Sequence, residues 1–246
     1  MGNPDLIPAA RKALESYRRV RDDVDRWFER VVRRNRAAVV CGRGCSMCCH
    51  GLFDIGVPDA LALTAAFGDL PADQRQPVIE RARKLQIRLD EAVGVPDHPY
   101  LLDSPDDARV GRAVELFSGA PCPLLGDDGA CLVYRGRPLP CRVEGLPLVD
   151  TRDGRFGDWC ELNFTSGTTA DMLDQLSFDW NSVTDAEDNA AQAVAEAAGI
   201  PPRSVMFIPS LLMAYETFWK PVLEGLRGNT PGEEPAQAGG STTTSS

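Results

Sequence analysis

Apolar residues recur at three- and four-residue steps along much of this chain. Tyr17, Val20, Val24, Trp27, Phe28 and Val31 fall on one face of a long helix read over 5–38. Pro58-Asp59 opens a second helix through Phe67, with proline in its first turn. A third, 71–93, sets Val78, Ala82, Leu85 and Leu89 on one face, and a fourth runs over 105–117. Two shorter helices are expected near 170–180 and 185–198. A last one over 204–226 carries Leu211, Leu212, Tyr215, Trp219, Val222 and Leu223, kinked or restarted at Pro221.

Between these helices the pattern changes. Residues 52–57 read as a short extended piece, and 95–104 as a loop. Over 122–134 two apolar runs flank Gly126-Asp127-Asp128-Gly129, which predicts a β-hairpin with a four-residue turn. With Leu125 opposite Ala130, Leu124 faces Cys131, and Cys122 and Cys131 share one face of the hairpin; a one-residue slip would separate them. The fold class is therefore mainly α: a helical domain with a small β-hairpin and cysteine-rich loops around a metal site. One domain is expected over 5–226, and a disordered Gly/Ser/Thr/Pro-rich tail over 227–246.

Charge narrows the partners. The net charge of −10 argues against general nucleic-acid binding, which needs a basic footprint. No apolar stretch is long enough to span a membrane. The stretch Met1 to Lys12 lacks the apolar run of a secretory signal, so a cytoplasmic location is expected. The first helix is locally basic, and a solvated face with pairs such as Asp22–Arg26 and Asp25–Arg30 is a simpler reading than a docking surface for an acidic partner.

The cysteines change the picture most. Cys41, Cys45, Cys48 and Cys49 lie within nine residues; Cys122, Cys131, Cys141 and Cys160 follow a long interval without any. In a reducing compartment eight thiols point to metal or redox chemistry before disulfides. Thiolates are soft donors that suit zinc and iron–sulfur clusters alike. Gly42 and Gly44 let the backbone turn tightly as the cysteines begin. Adjacent Cys48 and Cys49 diverge, so they suit two separate centres or two corners of a polynuclear one. Eight thiols divide evenly into two sets of four, and an iron–sulfur cluster is slightly favoured over Zn2+. Arg137 and Arg142 flank Cys141, where a guanidinium would offset the charge of a thiolate centre and bond its sulfurs. Tyr134 and Trp159 read as packing, Met47 as a gap filler, and His98 as solvent-facing. Thiols already suffice as ligands without His50.

At these residues the chain resembles the YkgJ-like cysteine-cluster family, named for a CxxCxxCC signature and described as zinc- or iron-chelating. The matching pieces are Cys45-Ser46-Met47-Cys48-Cys49, Cys122-Pro123-Leu124-Leu125, Gly129 to Tyr134, Arg137-Pro138 and Cys141-Arg142, with Cys160 matching a further downstream cysteine. The similarity covers about 40–165. Cys41 departs from the signature, with three residues before Cys45 instead of two. The resemblance implies metal chelation. Flagellin lysine methylases share a similar cluster, so it leaves enzyme and non-enzyme open.

Three readings stand on the sequence. One is a metal-binding protein with a redox or protein partner. Another is a cluster-dependent enzyme, either protein-methylating or of the radical S-adenosylmethionine kind that Cys41-x3-Cys45-x2-Cys48 resembles in spacing. The last is a purely structural zinc protein.

Overall fold

A computed structural model describes residues 3–42, 44–157 and 159–228, with the backbone alone for Phe156. The chain is mainly helical. A short 3-10 turn leads into α1 (Ile7–Arg34), whose apolar stripe buries Tyr17, Val24, Trp27 and Val31 as the spacing predicts. Strand β1 (Asp54–Gly56) runs into α2 (Val57–Gly68), followed by α3 (Ala72–Val93), α4 (Ala108–Leu116) and the five-residue α5 (Leu139–Val143). Then come β2 (Leu148–Asp150), β3 (Gly154–Phe156), α6 (Ala170–Leu176), β4 (Ser177–Phe178) and α7 (Trp180–Ala198). The described chain closes with β5 (Val205–Phe207), α8 (Ile208–Met213), one π turn over Tyr215–Trp219, and α9 (Lys220–Arg227). The tail expected over 227–246 lies outside the described residues from 229 on. Among the described residues, no helix is long and apolar enough to cross a membrane.

Two elements differ from their expectation. The β-hairpin over 122–134 is replaced by turns with one antiparallel bridge, which joins Leu125 to Cys131 and not to Ala130. The register is displaced because Gly129 takes a positive φ of 76° and the Gly126 amide donates to Ala130 O at 2.8 Å, closing the loop one residue early. Strand pairing is found elsewhere: β1 pairs antiparallel with β5, and β2 lies between β3 and β4. The helix read over 204–226 begins instead as β5. An uninterrupted apolar run such as Val205-Met206-Phe207-Ile208 reads equally as buried strand or buried helix. Pro209, in the first turn of α8, marks where the helix starts, and Pro221 restarts it as α9 after the π turn.

Three apolar clusters hold these elements together. One gathers α2, α7, α8 and α9 around Phe67, Leu211 and Trp219; a second joins α3, α4 and β5 through Leu89, Leu102 and Phe207. The third closes the inner face of α1 over Leu146, Leu176 and Trp180, where Trp27 donates its indole N–H to Leu176 O at 3.0 Å and meets Trp180 edge-on at 5.0 Å. Cys122 and Cys131 pack against the first cluster and Cys41 against the third, so the cysteine loops lie along the seam between two cores. One close approach sets that seam. Gly136 lies against α2, where a Cβ would land on Ala66 Cβ and stand 3.2 Å from Ala62 O. Gly136→Ala is therefore expected to destabilise the fold by about 1–3 kcal/mol in urea unfolding, the usual cost of overpacking.

Candidate metal centre

The first cysteine is placed by a side chain far away in sequence. After α1 the chain turns on Asn35 and runs out through Val39 to Cys41. Asn163, fully buried, accepts from the Val40 amide through Oδ1 at 2.9 Å and donates through Nδ2 to Gly145 O and to Cys41 Sγ, the latter at 3.1 Å. Its own amide donates to Cys160 O at 2.9 Å, and Trp159 Nε1 donates to Asn163 O at 3.1 Å. Gly145, at φ 98°, leaves room at this junction: a Cβ there would lie 3.2 Å from Cys41 Sγ and 3.8 Å from Cys160 Cβ. The oldest and the youngest cysteine of the sequence thus become neighbours. Nothing in the sequence singled out Asn163; the only signal is its position three residues after Cys160.

The tight cysteine run docks differently. Cys45 N–H closes a turn on Gly42 O at 3.0 Å, and Met47–Cys49 form one 3-10 turn. Cys49 O then accepts from the Cys122 amide at 2.8 Å, His50 bridges Pro121, and Gly51 N–H donates to Ala120 O at 2.9 Å. This short ladder joins the two cysteine groups directly. Cys141 arrives on α5, whose first residue, Leu139, donates its amide to Asp59 Oδ2 at 2.6 Å. Asp59 is wholly buried in the first turn of α2 and faces Arg21 of α1 at 3.6 Å.

The thiols sort into two neighbourhoods. Cys49 feels the charges of Cys122, Cys131 and Cys141, and Cys141 in turn those of Cys122 and Cys131. Cys41 feels Cys45, Cys160 and Cys48. Cys48 stands between the two: it is hydrogen-bonded to Cys49, it lies within reach of Cys141 and Cys122, and it is the one exposed cysteine. All eight are free thiols. Burial pushes Cys141 well above the ordinary thiol range and Cys122 up to about 12; burial likewise raises Cys131 and Cys41. Groups so buried and so close to one another resist ionising alone, and a bound cation inverts that preference by taking the thiolate charge. Among the described residues, no three His, Cys, Asp or Glu side chains already stand arranged to hold a metal ion. By donor chemistry the set fits a soft metal: sulfur only, with four thiols in one neighbourhood, three in the other and Cys48 between them.

Arg137 and Arg142, expected beside the cofactor, brace the loop that carries the late cysteines. Arg142 is buried, and each of its three guanidinium nitrogens meets a protein oxygen: Nε donates to Arg137 O at 2.9 Å, Nη2 to Arg135 O at 2.6 Å, and Nη1 pairs with Asp25. Arg137 stacks over Tyr134 at 4.1 Å and reaches Asp25 at 3.5 Å, while remaining close enough to offset burial at Cys131. Asp25 therefore turns inward to this cage, not out to Arg30 as its helical spacing suggests. On the exposed face of α1 the pairs are Arg18 with Glu15 and Asp22, Arg19 with Glu15, and Arg26 with Asp23. His50 is exposed and hydrogen-bonded through Nδ1 to Ser46 O at 2.9 Å; His98, also exposed, meets Thr217 Oγ1 at 2.8 Å.

Two cavities flank α5, with Pro140 in the wall of each. The smaller, about 220 Å³, opens between Met47, Cys48, His50, Cys141 and Glu144. The larger, about 740 Å³, lies between α7 and the β1–β5 ladder. Glu187 lines it, and burial together with the Asp59, Asp188 and Asp54 carboxylates raises Glu187 to about 7. A carboxyl whose folded value is raised favours folding most while it stays protonated. Its contribution is lost as pH rises from the unfolded value of 4.5 through about 7. Glu187→Gln is thus expected to match the wild type in urea unfolding at pH 4 and to be more stable than it at pH 8.

Comparison with models of protein families, with curated proteins and with solved structures found no match.

Proposed function

We propose that this chain binds metal through its cysteine thiolates, as two four-sulfur centres. One takes Cys49, Cys122, Cys131 and Cys141. The other takes Cys41, Cys45, Cys160 and, as its fourth ligand, Cys48. The observation that carries this reading is the pair of junctions that bring early and late cysteines together, Cys122 N–H on Cys49 O and Cys41 beside Cys160 at Gly145. Cys48, hydrogen-bonded to Cys49 and within reach of both neighbourhoods, is assigned to the set that otherwise has only three thiols. Iron–sulfur clusters are favoured, with Zn2+ the other metal the donors suit. When bound, a four-thiolate cluster would supply electron transfer, whereas zinc would supply a redox-inert staple. The chain's own part is to hold thiols from five separate segments in register. It does so through Asn163, the Cys49–Cys122 ladder and the arginine cage behind Cys141.

Anaerobic purification of the full chain, followed by an absorption spectrum and by iron, zinc and sulfide analysis, tests the proposal. Iron and sulfide together with a visible charge-transfer band support clusters. Stoichiometric zinc without sulfide supports the zinc form. Protein without bound metal, and unable to take it up on reconstitution, overturns the proposal.

A further inference from the structure

The larger cavity holds groups that the thiolate centres do not use. At the end of the β1–β5 ladder Gly56 faces Val205. The Glu187 carboxylate lies across the bare Cα of Gly56, so that a Cβ there would meet Oε1 at 3.2 Å. Ser204, next to Val205, is 2% exposed, and among the described residues its Oγ has no hydrogen-bond partner. Both side chains line the same cleft of about 740 Å³, a volume usual for a small-molecule site. A buried hydroxyl left unpaired costs free energy that a bound polar group would recover.

Carboxylates outnumber cations in the cleft, whose wall holds Asp54, Glu187 and Asp188 against Arg203. Buried Asp59 lies close behind. The cations nearby are spoken for: Arg203 pairs with Asp106 at 2.8 Å, and Arg21 faces Asp59 and donates to Arg137 O. Most of the remaining wall is apolar, with Ile55, Val57, Leu148 and Val183, beside the polar Thr184 and Gln192. A carboxylate and an unpaired buried hydroxyl in the lining of one largely apolar cleft match a ligand with an N–H-bearing cation on a hydrocarbon body.

We propose that this cleft binds a small organic ammonium ion, whose charged head donates to Glu187 and to Ser204 Oγ while its apolar part lies along Ile55, Val57 and Val183. Neither Glu187 nor Ser204 belongs to the proposed thiolate centres, although Leu139 and Pro140, just before Cys141, share the wall of the cleft.

Calorimetric titration of the full chain at pH 8 with hexylammonium, 1-hexanol and hexanoate tests it. Hexylammonium is expected to bind at least about tenfold more tightly than either control, the contrast that one desolvated charge-assisted hydrogen bond gives. Glu187→Gln is expected to erase that preference, and Ser204→Ala to weaken ammonium binding several-fold. Equal binding of hexylammonium and hexanol by the wild type would overturn the proposal without any variant. So would an unchanged ammonium preference in Glu187→Gln.

Discussion

Replacing Cys122 or Cys131 by Ser is expected to remove about half of the metal bound per chain, and replacing Cys41 or Cys160 to remove the other half, because a centre that loses one of four thiolates loses most of its affinity. The expectation follows from the two neighbourhoods. Cys122 and Cys131 share the charges around Cys49 and Cys141, whereas Cys41 and Cys160 meet at Gly145 under Asn163. Cys48 and Cys49 give the most demanding test of the assignment. They adjoin in sequence, yet Cys48→Ala should deplete the centre of Cys41 and Cys160, and Cys49→Ala the other. Elemental analysis of each purified variant reads this directly. Complete loss in every variant would mean a single shared centre; full retention in Cys48→Ala would remove that residue from the ligand set.

Arg142→Ala is expected to destabilise the chain by about 3 kcal/mol, near the lower end of the cost of breaking a buried ion pair. Arg142 is 3% exposed, and its loss leaves Asp25, Arg135 O and Arg137 O short of donors. The lower end applies because the Asp25 side chain keeps 35% of its surface in water. Arg18→Ala, at a 60% exposed side chain in a helix-surface pair, should be barely distinguishable from wild type in the same urea titration. An Arg142→Ala midpoint equal to that of Arg18→Ala would show that the cage carries no stability. The same variant should also bind the Cys49 centre more weakly, since the cage backs the loop that delivers Cys131 and Cys141.

The helices were legible because their apolar stripes repeat: Tyr17, Val24, Trp27 and Val31 are buried as their spacing implies, and Val78, Ala82, Leu85 and Leu89 likewise. What periodicity could not show was contact between distant residues. Asn163 and Cys41 are 122 positions apart, Arg142 and Asp25 are 117 apart, and neither pair leaves a repeat to read. Asp25 looks solvent-facing by charge, yet Tyr17 and Arg21 at four-residue spacing mark the same inward stripe. The hairpin at 122–134 failed at its register, which a single positive-φ glycine decides. The two cysteine groups were legible in the sequence; the contacts between them, Cys49 O with the Cys122 amide and Cys41 beside Cys160, came only from the folded loops. Glu187 and Ser204 were missed altogether. One sits in a stretch rich in acids, and the other in a turn, with nothing local to set either apart.

X-ray absorption at the edge of the metal that copurifies tests the central claim most directly. The account predicts a first shell of sulfur alone, four donors at about 2.3 Å if the metal is zinc. A first shell led by nitrogen or oxygen would contradict it, because no arrangement of these eight thiols as the ligands gives that spectrum.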